Sequence, residues 1–333
     1  SWMAIETIDM HTGGEPLRVY TAGLPEIKGS TILEQRRYFR DQLDHIRTGT
    51  MWEPRGHADM YGAIVVPPVS EDADFGTFFL HNEGYSTMCG HAIIALTKLA
   101  IETGLVEKPG REKQVIIDAP PGKIFATAHM QGERVERVSF RNVPSFLLLR
   151  DKMVKVEGIG EVTFDVAYGG AFYAFCDADA LGLKMDGSDY NRLIAYGRRI
   201  KHAVMEQFPI EHPFEEDLSF LYGTIFTGKA HNPKHHSRNV CIFADGEVDR
   251  SATGSGVSAR AALHHAKGEL KQQENITIES ILGTTMQVEV SAKTTYGPHR
   301  AVIPRVSGTA AFTGKNTFYF DPEDPLRKGF IFR

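Results

Sequence analysis

Cys89 is followed directly by Gly90 and His91 in YSTMCGHAIIALTKLAIETG (85–104), and the apolar residues Ile93, Leu96, Leu99 and Ala100 recur behind it at helical spacing. A thiol at the first turn of a helix meets free N–H groups and the positive end of the helix dipole, and both favour the thiolate. A thiolate can take a proton from carbon or attack an electrophile. The same N–H groups can hold a carboxylate, and Gly90 lets a ligand approach the backbone. Ser86 or Thr87 is expected to cap this helix. A second stretch, DRSATGSGVSARAALHHAKGEL (249–270), repeats the layout with Thr253 in place of the cysteine. The two positions are 164 residues apart in a chain of 333, which points to a duplicated unit. Taken singly these residues are ordinary: a buried cysteine is mostly a small hydrophobe, threonine caps helices, Asp249 suits a turn. Cys176 and Cys241, each flanked by strand-like residues, fit that plain reading.

The elements that must position these groups are mostly strands. Alternation and β-branched residues predict strands at 3–10, 15–23, 61–68, 77–83, 114–120, 123–130, 134–143 and 161–170, with more in the second half. Their hairpin-like spacing predicts mainly antiparallel pairing. Helices are expected at about 31–47, 89–104, 190–206 and 254–268. The second is apolar nearly all round and should be buried, with Gly104 as its stop. Each half then carries strands, one amphipathic helix, more strands and a glycine-containing turn that feeds a buried helix. The length suggests two domains, with 152–160 as the best boundary.

Composition narrows the function classes. Apolar residues make up 42% and charged residues 24%, as in soluble globular proteins, and the net charge of −5 comes without a basic tract. Neither nucleic acid nor an anionic membrane is an expected partner. No apolar run reaches the length of a membrane span, and no signal-peptide pattern opens the chain; Ser1 reads as the remnant of a cleaved tag. Three widely spaced cysteines make neither a disulfide framework nor a zinc signature, so a cytoplasmic setting is expected. The pairs His235–His236 and His264–His265 are not read as metal ligands, because adjacent residues do not face one site.

Taken together, MCGH (88–91), DRSATGSG (249–256), DMHTGGEPLRV (9–19), GHADMYGA (56–63) and HNEGYSTMCGH (81–91) resemble the proline racemase family, from Asp9 to about Phe320. The resemblance implies an α+β fold of two similar domains like those of diaminopimelate epimerase. Each would be a curved, mostly antiparallel sheet around a central helix, with the active site in the cleft between them. Residues 1–150, completed by 320–333, would carry Cys89, and residues 151–319 would carry Asp249 and Thr253. The racemases of this family use two cysteines on opposite faces of the substrate Cα, without cofactor or metal. Here the second is Thr253, a poor acid. One competent face leaves Cα proton removal followed by loss of a Cβ substituent, and the Cys/Thr pair is similar to that of family members that dehydrate trans-3-hydroxy-L-proline to pyrroline-2-carboxylate. The implied roles are Cys89 as the base and Thr253 as a hydrogen-bonding group. Backbone N–H groups of Gly90, His91, Gly254 and Ser255 would hold the carboxylate, and Asp249 the ring nitrogen. His91 or His81 would protonate the leaving hydroxyl, or His91 would ionise Cys89. Phe79 and Tyr61 are expected as ring walls, and His11, Gly13 and Gly14 as a turn near the cleft. A small imino acid is the expected partner, with a homodimer implied by the family. The competing readings are a racemase or hydroxyproline 2-epimerase, a non-catalytic imino-acid binder, and a cysteine hydrolase. The hydrolase is disfavoured because His91, two residues from Cys89, should not face the thiol.

Overall fold

A computed structural model describes residues 3–332, so Ser1 lies outside the described residues. Among them are five α-helices: α1 (Ile32–Gln42), α2 (Asp44–Met51), α3 (Gly90–Glu102), α4 (Tyr190–Gln207) and α5 (Gly254–Ala266). The architecture is α+β, with curved sheets wrapped around α3 and α5. Helix α3 packs on strands Met3–Thr12, Glu15–Ala22, Gly122–Gln131, Arg134–Arg141 and Ala310–Phe320. Helix α5 packs on Phe146–Val156, Gly160–Tyr168, Phe172–Asp177, Thr285–Tyr296 and His299–Gly308. Every residue from Gly90 to Ala100 and from Gly254 to Leu263 is buried, which is why neither helix needs a polar face. Ile93, Ile94 and Leu96 are fully buried, each contributing about 1.5–3 kcal/mol.

Pairing reveals the duplication. Most pairs are antiparallel, but each half contains two parallel ones, and each of these is bridged by a helix, as a parallel connection requires. Strands Glu15–Ala22 and Gly62–Val66 run parallel across α1 and α2, and Phe172–Asp177 and Leu221–Gly228 run parallel across α4. Strands Phe75–Leu80 and Glu112–Ala119 run parallel across α3, and Ser237–Phe243 and Ile276–Glu279 run parallel across α5. Arg134–Arg141 pairs with His299–Gly308 and joins the halves. The last long strand, Ala310–Phe320, pairs along its whole length with Met3–Thr12.

One expectation needs correction. The helix expected at 31–47 is two helices. Leu43 leaves helical geometry (φ −127°, ψ 13°), and Asp44 starts α2, which aims Arg47 at the carbonyls of His81 and Asn82 at 2.9 and 3.0 Å. The stretch 152–160, expected as a boundary, lies within a hairpin in which strands Phe146–Val156 and Gly160–Tyr168 pair antiparallel around a tight turn.

Candidate active site

Helices α3 and α5 meet end to end. A Cβ on Gly90 would lie 2.3 Å from the Gly254 Cα, and a Cβ on Gly254 would lie 2.4 Å from the Gly90 Cα. These glycines are therefore required by each other, as well as by any ligand that sits above them. The first intrahelical bonds run from Ile93 N–H to the Cys89 carbonyl and from Val257 N–H to the Thr253 carbonyl, at 3.1 and 2.7 Å. The N–H groups of Gly90, His91, Gly254 and Ser255 precede them at one shared point, a two-sided cradle for an anion.

Cys89 is the N-cap residue of α3, extended at φ −140°, ψ 103°. That placement overturns two expectations. Neither Ser86 nor Thr87 caps the helix: Ser86 Oγ bonds the Tyr61 hydroxyl, and Thr87 Oγ1 donates to the Gly170 carbonyl at 2.7 Å. His91 does face the thiol, with Nδ1 2.8 Å from Cys89 Sγ, because the rule against such pairs assumes that both residues are helical. His91 Nε2 is 3.3 Å from the Pro16 carbonyl, which fixes a tautomer with the proton on Nε2 and a lone pair on Nδ1 for the thiol.

The thiol is not depressed as its helix start alone would make it. Burial, then the charge of Asp249, push the Cys89 thiol well up, and the Ala92 N–H opposes them without prevailing. Burial also lowers His91, against Asp249. At rest the pair is neutral, Sγ–H to Nδ1.

Thr253 caps α5 at φ +69°, a left-handed conformation costly for a β-branched residue. Its Oγ1 donates to Asp249 Oδ2 at 2.8 Å, while its N–H donates to Ser251 Oγ at 3.1 Å. The other Asp249 oxygen takes the N–H and hydroxyl of Ser251 at 2.8 and 2.7 Å. Thr253 therefore turns only lone pairs toward the cavity.

Between the two helix starts lies a small cleft of about 260 Å³. Tyr61 forms a wall as expected, its ring centroid 4.9 Å from that of His91. Phe79 does not, being fully buried in the core; the wall is Phe243, at the same 164-residue offset that relates Cys89 to Thr253. That offset was the available signal for Phe243. Nothing in the sequence marked Tyr173, Tyr222 or Met88 as lining residues. Cys241, expected as plain core, is fully buried yet reaches the cavity wall beside Thr253. His81 sits behind this wall, 5.8 to 6.2 Å from the rings of Tyr222, Tyr61 and Phe243. The N–H groups of Glu83 and Gly84 hold its Nδ1 at 3.2 and 3.1 Å, while its buried Nε2 makes no hydrogen bond.

The cavity is bolted across the halves. Glu15 Oε2 accepts Arg250 N–H at 2.6 Å, and Glu247 Oε1 accepts Asn82 N–H. The Gly13–Gly14 hairpin tip, both residues at positive φ, receives a hydrogen bond from Thr284 on its Gly13 carbonyl at 2.8 Å. His11 Nδ1 accepts Gly14 N–H at 3.1 Å and shapes that tip. The other histidine pairs are far from this chemistry, and His235 is held by Glu279 at 2.7 Å.

A buried thiol–imidazole pair thus lies beside two helix starts that meet at Gly90 and Gly254. The proline racemase family model matches residues 7–331, and the chain belongs to that family. It is 52% identical over 333 residues to a trans-3-hydroxy-L-proline dehydratase of Colwellia psychrerythraea, covering 100% of this chain and 94% of the relative. It is 48% identical to a trans-3-hydroxy-L-proline dehydratase of Homo sapiens, covering 99% and 95%. Among solved structures, a hydroxyproline epimerase from Agrobacterium vitis with bound trans-4-hydroxy-L-proline superposes with a TM-score of 0.93 at 28% identity, over 99% and 96% of the two chains.

Proposed function

We propose that this chain is a hydro-lyase that dehydrates trans-3-hydroxy-L-proline to pyrroline-2-carboxylate without a cofactor, with Cys89 as the only base at Cα. The observation that carries the reading is the inequality of the two helix starts. One presents a thiol paired with an imidazole, and the other presents a threonine hydroxyl committed to a carboxylate. The full-length relatives named for this activity support it.

In this reading the substrate carboxylate rests on the N–H groups of Gly90, His91, Gly254 and Ser255, where helix dipoles stabilise the charge that builds up as Cα loses its proton. The ring ammonium faces Asp249. Its positive charge offsets that of Asp249, the second cause after burial of the raised Cys89 thiol, and so favours ionisation of the pair. His91 Nδ1 takes the Sγ proton, the thiolate removes the Cα proton, and the bonding pair forms Cα=Cβ as the 3-hydroxyl departs. Both His91 nitrogens are engaged in this arrangement, and His81 stands behind the wall, so neither supplies the leaving-group proton. Thr253 acts by fixing Asp249. A cytoplasmic homodimer goes with this reading through the family resemblance.

The test is an NMR time course in deuterated water with trans-3-hydroxy-L-proline, using L-proline and trans-4-hydroxy-L-proline as controls. Conversion of the 3-hydroxy compound alone, abolished in Cys89→Ser, is the expected result. Inversion of the controls at Cα without dehydration would replace the reading with an epimerase.

A further inference from the structure

Resting on the dehydratase reading, we propose that Tyr222 is the hydrogen-bond donor that selects the substrate's 3-hydroxyl and delivers the proton with which it leaves as water. Two independent observations place it there. Tyr222 lines the cavity between the helix starts, and its buried hydroxyl makes no well-formed hydrogen bond, with Ser86 alone easing its ionisation. The other lining tyrosines are spoken for: Tyr61 bonds Ser86 Oγ, and Tyr173 bonds Ser255 Oγ at 2.7 Å. A buried hydroxyl without a good partner costs about 1–3 kcal/mol, so one on the lining of this cavity points to a ligand's polar atom.

The rest follows by matching two inventories. The substrate offers a carboxylate, a ring ammonium and a 3-hydroxyl. The helix starts take the first and Asp249 takes the second. Thr253 cannot donate to the third without abandoning Asp249 Oδ2, and His91 is held between Sγ and the Pro16 carbonyl. Among the lining tyrosines, Tyr222 is the one whose hydroxyl makes no well-formed hydrogen bond. Its ring is fixed by Tyr173, Phe243 and His81 at 5.9, 5.5 and 5.8 Å, so the hydroxyl has little freedom to turn elsewhere.

Burial, then Tyr173, Glu247 and Cys89, push the Tyr222 hydroxyl well up, so it enters the reaction protonated. A protonated phenol beside the departing oxygen can give it its proton. The protons balance within the site. Cys89 passes its proton to His91 and receives the one from Cα. The electron pair of the Cα–H bond becomes the Cα=Cβ bond, and the Cβ–O pair leaves with oxygen. That oxygen takes the Tyr222 proton, and once the product leaves, the imidazolium gives its proton to solvent and the tyrosine regains one from it.

The test compares the full chain with Tyr222→Phe, which keeps the ring. Wild-type dehydration is measured first, since its absence would defeat the dehydratase reading itself. Given an active wild type, Tyr222→Phe is expected to lower kcat about a hundredfold. Its affinity for L-proline, which lacks the hydroxyl, should stay within about twofold by titration calorimetry. In a Cys89→Ala background, the preference for trans-3-hydroxy-L-proline over L-proline should vanish with Tyr222→Phe. A variant that keeps kcat within about threefold would overturn the assignment, and so would one that loses L-proline affinity as severely as turnover, because the tyrosine would then be only part of the wall.

Discussion

The starts of α3 and α5 share a backbone plan and differ in what they carry. Both open on a glycine pressed against the other, and both aim free N–H groups at one point. At α3 the cap residue is extended and its thiol meets a histidine; at α5 it is in the left-handed region and its hydroxyl is tied back to Asp249. Duplication supplied a symmetric anion cradle, and a single side chain made the chemistry one-sided.

The comparison breaks first at the thiol. Cys89→Ser is expected to cut dehydration by about 10³–10⁴ in kcat while leaving the melting temperature unchanged, measured by product NMR and calorimetry. Next come the shared glycines. Gly90→Ala and Gly254→Ala should each lower kcat/KM by about 10², and by similar amounts, because each drives a methyl into the same opposing backbone. Unequal losses would mean that the two starts do not share one contact.

The histidine sharpens the difference through pH. Burial holds His91 below its ordinary 6.5, so the wild-type kcat/KM should stay level as pH falls to that value. Below it the rate should drop as Nδ1 gains the proton that blocks it from accepting Sγ–H. His91→Asn should lower the rate by about 10–100-fold and remove that acid limb. The smallest effect belongs to α5. Thr253→Val should cost about tenfold in kcat, since Asp249 loses one donor and keeps two. Thr253→Cys should open slow Cα inversion of L-proline, read by chiral chromatography, by restoring an acid on the second face.

Much of this was legible in the sequence. Helix α3 announced itself by apolar residues on nearly every face, and both α3 and α5 by their glycine starts. Cys89, Gly90, His91, Asp249, Thr253, Gly254 and Ser255 all converge on one cavity. What escaped had local physical causes. The break at Leu43 is invisible to a periodicity that continues on either side of it. The strand Phe146–Val156 carries Arg150, Asp151 and Lys152 on its exposed stretch, which spoiled its alternation. The Cys89–His91 contact depends on one residue being outside the helix, and no spacing rule encodes that. Tyr222 is an aromatic in an apolar strand, and which strand residues face a cleft is decided only when the halves meet.

The tied cleft has a consequence for the fate of oxygen. Water formed beside the new double bond lies in a small cleft whose two sides are tied by Glu15 to Arg250 and by Glu247 to Asn82. Until those bolts release, re-addition competes with escape, and the forward commitment of each turnover is set by how fast the halves part. Heavy-oxygen label in the solvent then acts as a clock for that parting: the less of it that returns to recovered substrate, the longer the enzyme keeps its own water.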